Sequence, residues 1–305
     1  MAIVRVEIKD FLVFKDEFAA DFCSGVNVFI GGNATGKTTL LKALYRRLKM
    51  GAFHSSIPNS PGKVIFDMEE NLLQYDNIIT IVDITKDIRA VYIPEKDILE
   101  HAKGLLTFIE QKQTGFAPVY KDVLIAAQDV PTQKQSKTQK TVGQKIATII
   151  GGNVHWDKDD GSFYTLKTDG SRIPFANEAS GYKKFGFLGL LVSSGQLESG
   201  SILFWDEPEN SLNPELVPVL VDILLELSRN GVQIFIATHS EILASYFAVN
   251  RQKDDSVMFY SLYKDGEQIK TNTRDRFDLL EPNNLTAEPV KLYEKEIEKG
   301  LGGNG

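Results

Sequence analysis

The chain has 305 residues, 42% of them hydrophobic and 25% charged, with a net charge of −7 and an isoelectric point near 5.3. This is ordinary globular composition. It argues against a nucleic-acid footprint spread over the whole surface, and no apolar run approaches the roughly 18–20 residues that span a bilayer. A single cysteine, Cys23, excludes an internal disulfide and a cysteine-built zinc site. The N-terminus reads as a strand and not as a signal peptide. The expectation is a cytoplasmic protein with no membrane partner.

Short apolar stretches open the chain and read as strands: 3–8, 11–14, 18–22 and 26–30. Cys23 adjoins such a stretch and is expected to be a buried, inert thiol. The next run is Gly31-Gly32-Asn33-Ala34-Thr35-Gly36-Lys37-Thr38, followed by Thr39. It fits the phosphate-loop pattern G-x-x-x-x-G-K-[ST] in its required setting, after an apolar strand and before a helix. That helix is expected over about 38–49, with Leu40, Leu44 and Leu48 on one face. Glycines let the backbone wrap a phosphate chain and aim N–H groups at it. The helix N-terminus adds partial positive charge. Lys37 can reach the outer phosphates, and the Thr38 hydroxyl can bind Mg²⁺. ATP and Mg²⁺ are the cofactors this run implies.

Residues 51–62 are rich in Gly, Ser and Pro and read as a loop. Further strands are expected at 63–68, 78–84 and 88–93, the last two joined by a turn at Thr85-Lys86-Asp87. After Pro94 the character turns helical, with one helix through Ile98, Leu105 and Ile109, a second at 119–127 and a third at 142–150. A hairpin is expected around His155-Trp156 and Phe163-Tyr164. Residues 95–175 therefore read as a mostly helical insertion. Residues 1–94 and 176–305 would build an α/β phosphate-loop core, its mixed sheet including antiparallel N-terminal strands. Between Pro131 and Lys145 lie Lys134, Lys137, Lys140 and Lys145 with no acid. This stretch reads as a solvated linker running into a helix, with a local basic groove as the alternative.

A second motif is Ser201-Ile202-Leu203-Phe204-Trp205-Asp206-Glu207-Pro208. An apolar strand ending in two carboxylates is costly unless they do something. At the carboxyl end of a parallel strand they face the crevice where α/β sheets bind ligands. Asp206 would hold Mg²⁺, and Glu207 would serve as general base toward water; the alternative is a helix-capping acidic turn. A third motif is Gln233-Ile234-Phe235-Ile236-Ala237-Thr238-His239-Ser240. His239 would contact the terminal phosphate or hold the attacking water, or else cap the helix that begins near Ser240. Asn213 before Pro214 reads as an N-cap. A hairpin around Asp265-Gly266 and a charged helix near 288–299 complete the pattern.

These motifs, in this order, resemble the nucleotide-binding domains of the ABC ATPase superfamily. Ala179-Ser180-Gly181-Tyr182-Lys183-Lys184 occupies the place of the family signature, and Ser211-Leu212-Asn213-Pro214 that of the D-loop. The opening Ile3–Phe11, the Asn-bearing phosphate loop, the Tyr182 variant of the signature and Phe204-Trp205-Asp206-Glu207-Pro208-Glu209 are most similar to the non-transporter branch. That branch includes recombination-and-repair ATPases, overcoming-lysogenization-defect type proteins and small AAA-labelled ATPases of bacterial defence and mobile elements. The resemblance implies an ATP hydrolase that dimerises head to tail on ATP. Ser180 and Gly181 would then serve the nucleotide of the opposite subunit, with Ser180 as a helix N-cap the plainer alternative. It also implies an effector, such as a separate nuclease, or DNA as partner. Two departures stand out. Tyr92-Ile93-Pro94-Glu95-Lys96 lacks the glutamine the family usually carries there, and Glu95 is the possible substitute. The segment after His239 is too poor in core-forming residues for a nuclease domain. A transporter subunit and an ATP-sensing scaffold with little turnover are the competing readings.

Overall fold

The structure, a computed structural model, describes residues 2–50, 63–68, 89–112, 118–129 and 134–302. Its centre is a six-stranded sheet in the order β12-β11-β3-β10-β9-β5. The strands are β3 (Val26–Gly31), β5 (Ala90–Ile93), β9 (Ile202–Asp206), β10 (Gln233–Ala237), β11 (Val257–Asp265) and β12 (Gln268–Arg274). All neighbours are parallel except the β11–β12 hairpin at the edge. The three central strands are near-continuous apolar runs because both faces of the sheet are covered. Their side chains alternate between two cores. Val28, Leu203, Trp205, Ile234 and Ile236 face the core formed with α5 (Ser180–Ser193), α6 (Val217–Arg229) and α7 (Glu241–Asn250). Phe29, Phe204, Phe235 and Ala237 face the core formed with α1 (Lys37–Met50) and the N-terminal strands. Parallel register places Phe29, Asp206 and Ala237 at one level. The loops that follow β3, β5, β9 and β10 therefore meet at one edge.

The N-terminal region differs from expectation. It has two long strands where three short ones were expected, β1 (Ile3–Phe11) and β2 (Phe14–Asp21), paired antiparallel, with β4 (Lys63–Met68) on the other side of β1. The turn falls on Leu12, exposed and at φ 53°. A leucine in that conformation carries none of the Gly or Asn signal by which turns are read. Cys23 lies between β2 and β3, half-buried. Its Sγ donates to the Val26 carbonyl at 3.3 Å, and burial pushes the thiol up.

Between β5 and α5 lie α2 (Ala102–Lys112), α3 (Pro118–Ala127), α4 (Lys137–Ile150) and the small sheet β6 (Gly152–Asp157), β7 (Ser162–Lys167) and β8 (Arg172–Pro174). A short turn of 3₁₀ helix precedes α2, which is broken at Gly104, φ 77°. α4 starts earlier than the apolar spacing indicates. Ser136 and Gln139 form a reciprocal capping box that satisfies two free N–H groups. Val142, Ile146 and Ile150 of α4 join the core beneath α5. α8 (Asn284–Gly302) is likewise longer than its charged centre. The expected loop at 51–62, strand at 78–84 and turn at 85–87 lie outside the described residues. Among the described residues no helix is long and apolar enough to cross a membrane.

Candidate nucleotide site

The phosphate loop leaves β3 at Gly31. A Cβ there would stand 2.2 Å from the Leu262 carbonyl oxygen of the adjoining strand. Gly36 sits at φ 93° against Phe14 and Val13, which a Cβ would meet at 2.8 and 3.0 Å. Only glycine serves there, on both backbone and space. Ala34, φ 59°, takes the same left-handed region without that excuse, a strained position of the kind that collects at functional sites. Thr35 Oγ1 donates to the Gly32 carbonyl at 2.9 Å and closes the loop. Asn33 and Ala34 are exposed at its crest, and Thr38 and Thr39 are half-buried in the first turn of α1. Lys37 Nζ donates to the Gly31 and Gly32 carbonyls at 2.9 and 3.0 Å. Burial pushes this ammonium down to about 8, against the pull of Glu207, Asp206 and Glu209.

Asp206, at the end of β9, is buried. Its Oδ1 accepts from Thr38 Oγ1 at 3.0 Å and its Oδ2 from Tyr92 OH at 3.2 Å. Burial raises the carboxyl above its ordinary value, and these two bonds oppose the shift. Glu207 sits at φ 49°, strained for a glutamate. Its N–H donates to the Ala237 carbonyl at 2.8 Å, fixing the turn to β10. Its Oε1 lies 3.0 Å from His239 Nε2. Burial raises Glu207, and Glu95, Glu209 and Asp206 add to the shift. Burial and Lys37 lower His239. The two side chains face each other at ion-pair distance beside the phosphate loop. His239 does not cap α7: that role belongs to Ser240, whose hydroxyl accepts from the Leu243 N–H at 3.1 Å. Neither does Asp206 cap a helix, since Thr38 and Tyr92 take both its oxygens.

Lys37, Thr38, Asp206, Glu207 and His239 thus stand together at the carboxyl edge of a parallel sheet, in the sequence order of the three motifs. The family model described as "AAA ATPase domain" matches residues 1–83. The model described as "AAA domain, putative AbiEii toxin, Type IV TA system" matches residues 114–245. Both models are of AAA-type domains, and the chain is similar to them over these two segments. A segment of the chain is 53% identical over 45 residues to the DNA replication and repair protein RecF of Lactobacillus gasseri, covering 15% of this chain and 12% of that one. Another match is 32% identical over 78 residues to the energy-coupling factor transporter ATP-binding protein EcfA of Methanothermobacter thermautotrophicus, covering 26% and 24%. The chain thus spans under a quarter of each curated relative it matches. The Smc head domain of Pyrococcus furiosus, solved with an extended coiled coil and bound to the C-terminal domain of ScpA, superposes with a TM-score of 0.56. It is 12% identical, over 96% of this chain and 99% of that one, a likeness of fold.

Ser180 and Gly181 are not joined to the phosphate loop by any hydrogen bond among the described residues. Ala179, not Ser180, is the N-cap of α5, and it makes no side-chain bond. The N-cap reading of Ser180 therefore fails: the serine begins the helix and is exposed. Gly181 is buried under Leu212, whose Cδ1 would lie 3.1 Å from an added Cβ. The signature and the D-loop position are packed together. Asn213 accepts from the Glu215 N–H at 3.2 Å, as its place before Pro214 indicates.

Three further groups complete the site, and the sequence reading assigned them no role in it. Tyr92 holds the second oxygen of Asp206. Glu209 Oε1 accepts from Thr238 Oγ1 at 2.5 Å and from the His239 N–H at 3.0 Å, tying the β9 loop to the β10 loop. Lys184, one turn into α5, donates to the Glu207 and Pro208 carbonyls at 2.9 and 3.2 Å; burial pushes it down to about 8. Only Glu209 carried a signal, as a third carboxylate two residues beyond Glu207. Glu95, where the family's glutamine is missing, accepts from Asn210 Nδ2 at 3.1 Å.

Among the described residues no cluster of three or more His, Cys, Asp or Glu could hold a metal alone. The donor set is one hydroxyl and one carboxylate, Thr38 and Asp206. That suits Mg²⁺, a hard cation held by one or two carboxylates with substrate phosphates and waters. The residues fit the ion.

Proposed function

We propose that the ATPase binds Mg-ATP between the phosphate loop and Asp206, and hydrolyses it with Glu207 as general base. It dimerises head to tail when ATP is bound, and uses that cycle to regulate an effector, such as a separate nuclease, or to act on DNA. The setting is cytoplasmic, in bacterial defence, DNA repair or a mobile element. The observation that carries this reading is the pair of adjacent carboxylates with divided tasks. Asp206 is bonded to Thr38 on the metal side, while Glu207 is turned by a strained backbone toward His239. Mg²⁺, when bound, neutralises phosphate charge. The chain's own residues do the rest. The loop amides and Lys37 bind and orient the phosphates. Glu207 takes a proton from water, with His239 Nε2 3.0 Å from its carboxylate. The exposed Ser180 and the backbone of Gly181 beside it are the groups a second subunit would use.

The RecF likeness and the Smc-head fold support the DNA-linked branch. The EcfA likeness is the support for a transporter subunit, and Tyr182 and the missing glutamine weigh against it. A pure scaffold has no use for a base poised as Glu207 is. The test is Lys37→Ala, with nucleotide binding and thermal melting measured together. Lost ATP affinity with an unchanged melt supports the reading; unchanged affinity overturns the phosphate-loop assignment.

A further inference from the structure

A second candidate site lies on the far side of α5 from the nucleotide edge. α4, β6 and α5 enclose an open cavity of about 360 Å³. Its walls include Gln135, Lys140, Gln144, Asn153 and His155, and no carboxylate lines it. Its floor is set by glycines. A Cβ on Gly186 would meet Val154 Cγ2 at 2.7 Å, and one on Gly189 would meet Ile146 Cγ2 at 3.1 Å, so α5 lies close under α4 and β6. His155 is stacked on Tyr164 with ring centroids 5.5 Å apart. Burial and nearby Arg172 lower its pKa, leaving the ring uncharged near neutrality.

The rim is basic in an otherwise acidic protein. From Pro131 to Trp156 the chain has no Asp or Glu. Lys134, Lys137 and Lys140 are exposed, and none forms an ion pair among the described residues. Lys145, by contrast, is taken by Glu226. Lys137, Lys140 and Gln144 recur on one helix face, Lys140 about 4.5 Å along the axis from Lys137. A row of free lysines beside a cavity walled by neutral amides and an imidazole matches one kind of ligand. Lysines take backbone phosphates, and amide groups take the edges of an unstacked base.

We infer that the α4–β6–α5 cavity and its lysine rim bind single-stranded nucleic acid, with phosphates on Lys137 and Lys140 and a base in the cavity. This names a partner for the DNA arm of the function proposed above, and it can be tested without nucleotide.

The test is fluorescence anisotropy with a labelled oligothymidylate, between about 50 and 200 mM salt, alongside a labelled glutamate-rich peptide. Two variants probe the two parts. Lys137→Glu with Lys140→Glu removes the rim. Gly143→Leu fills the cavity: a Cβ on Gly143 meets nothing within 4 Å, and leucine is the better helix former. The expected result is at least about tenfold weaker oligonucleotide binding in each. In the lysine variant the salt slope should also flatten by about 1.4, two phosphates at roughly 0.7 each; in Gly143→Leu it should hold. Thermal melts and basal ATP turnover should stay at wild-type level in both. Glu207→Gln should keep oligonucleotide binding, which separates this site from the ATPase reading. Unchanged affinity in both variants overturns the proposal. So does tighter binding of the acidic peptide with the same sensitivity, which would make the cavity a protein groove.

Discussion

Thr38 Oγ1 lies 3.0 Å from Asp206 Oδ1, joining the start of α1 to the end of β9 across 168 positions of sequence. Two motifs that share nothing in the chain thereby share one bond. The other oxygen of Asp206 is held by Tyr92, so the carboxylate has one orientation and one oxygen aimed at the hydroxyl. That arrangement suits a divalent cation bridging protein and phosphate.

Tyr92→Phe removes a single hydroxyl from that arrangement. Mg²⁺-dependent nucleotide binding should weaken by about 10–100-fold, the scale for a group that orients a metal ligand. Binding without Mg²⁺ should hold. Asp206→Asn should abolish the Mg²⁺-dependent part of affinity altogether, and should melt at or above wild type because a buried carboxylate is gone. Titrating nucleotide with and without Mg²⁺ and recording melts checks both. Equal Mg²⁺ dependence in all three proteins would place the metal elsewhere.

Glu207 is raised by burial and then by Glu95, Glu209 and Asp206. A general base works ionised, so turnover should fall on the acid side at a higher pH than for an ordinary glutamate. Glu95→Gln removes one like charge. The carboxyl of Glu207 should drop and the acid limb of kcat/KM should move to lower pH. A limb that stays in place would show that another group sets it.

Lys37 sits at about 8 because it is buried. Phosphate beside it favours the charged form. Binding above neutrality should therefore take up protons, little near pH 7 and more toward about pH 9. In the free protein the sign is opposite: between about 8 and the ordinary 10.5 the unfolded chain binds more protons, folding releases them, and this lysine's contribution to stability rises with pH. Calorimetry of nucleotide binding in buffers of different ionisation enthalpy reads the uptake directly. No buffer dependence at the higher pH would mean that Lys37 is already charged without ligand.

Ser180 is exposed at the start of α5, with Gly181 packed on Leu212 beside it. Ser180→Arg would put bulk and charge on the face assigned to a second subunit. Light scattering with Mg-ATP should show the Glu207→Gln protein as a dimer and the Ser180→Arg, Glu207→Gln double variant as a monomer, with single-site ATP affinity largely kept. Glu207→Gln remaining monomeric, alone and with the product of any adjacent gene, contradicts the head-to-tail arrangement.

Much of this site was legible because phosphate binding demands a rigid local pattern. Gly36 and Lys37 are forced by space and charge, and Asp206 and Glu207 end a buried strand that would otherwise exclude them. Tyr92 and Lys184 were not legible. One is an aromatic in a strand and the other a lysine in a helix, both commonplace until the fold sets them against Asp206 and the Glu207 carbonyl. The first turn failed for a similar reason: Leu12 adopts a conformation its side chain does not announce. α4 was read too short because its start is set by the Ser136–Gln139 cap and not by apolar spacing.

The central claim is that Glu207 is the base of an ATP hydrolase. ATP binding and steady-state hydrolysis by Glu207→Gln, measured on the same preparation, test it most directly. The variant keeps the side chain's shape and its place beside His239 but loses the basic oxygen. ATP affinity should be retained while hydrolysis falls by about two to four orders of magnitude. Turnover near the wild-type rate would contradict the account and leave Glu207 a structural partner of His239.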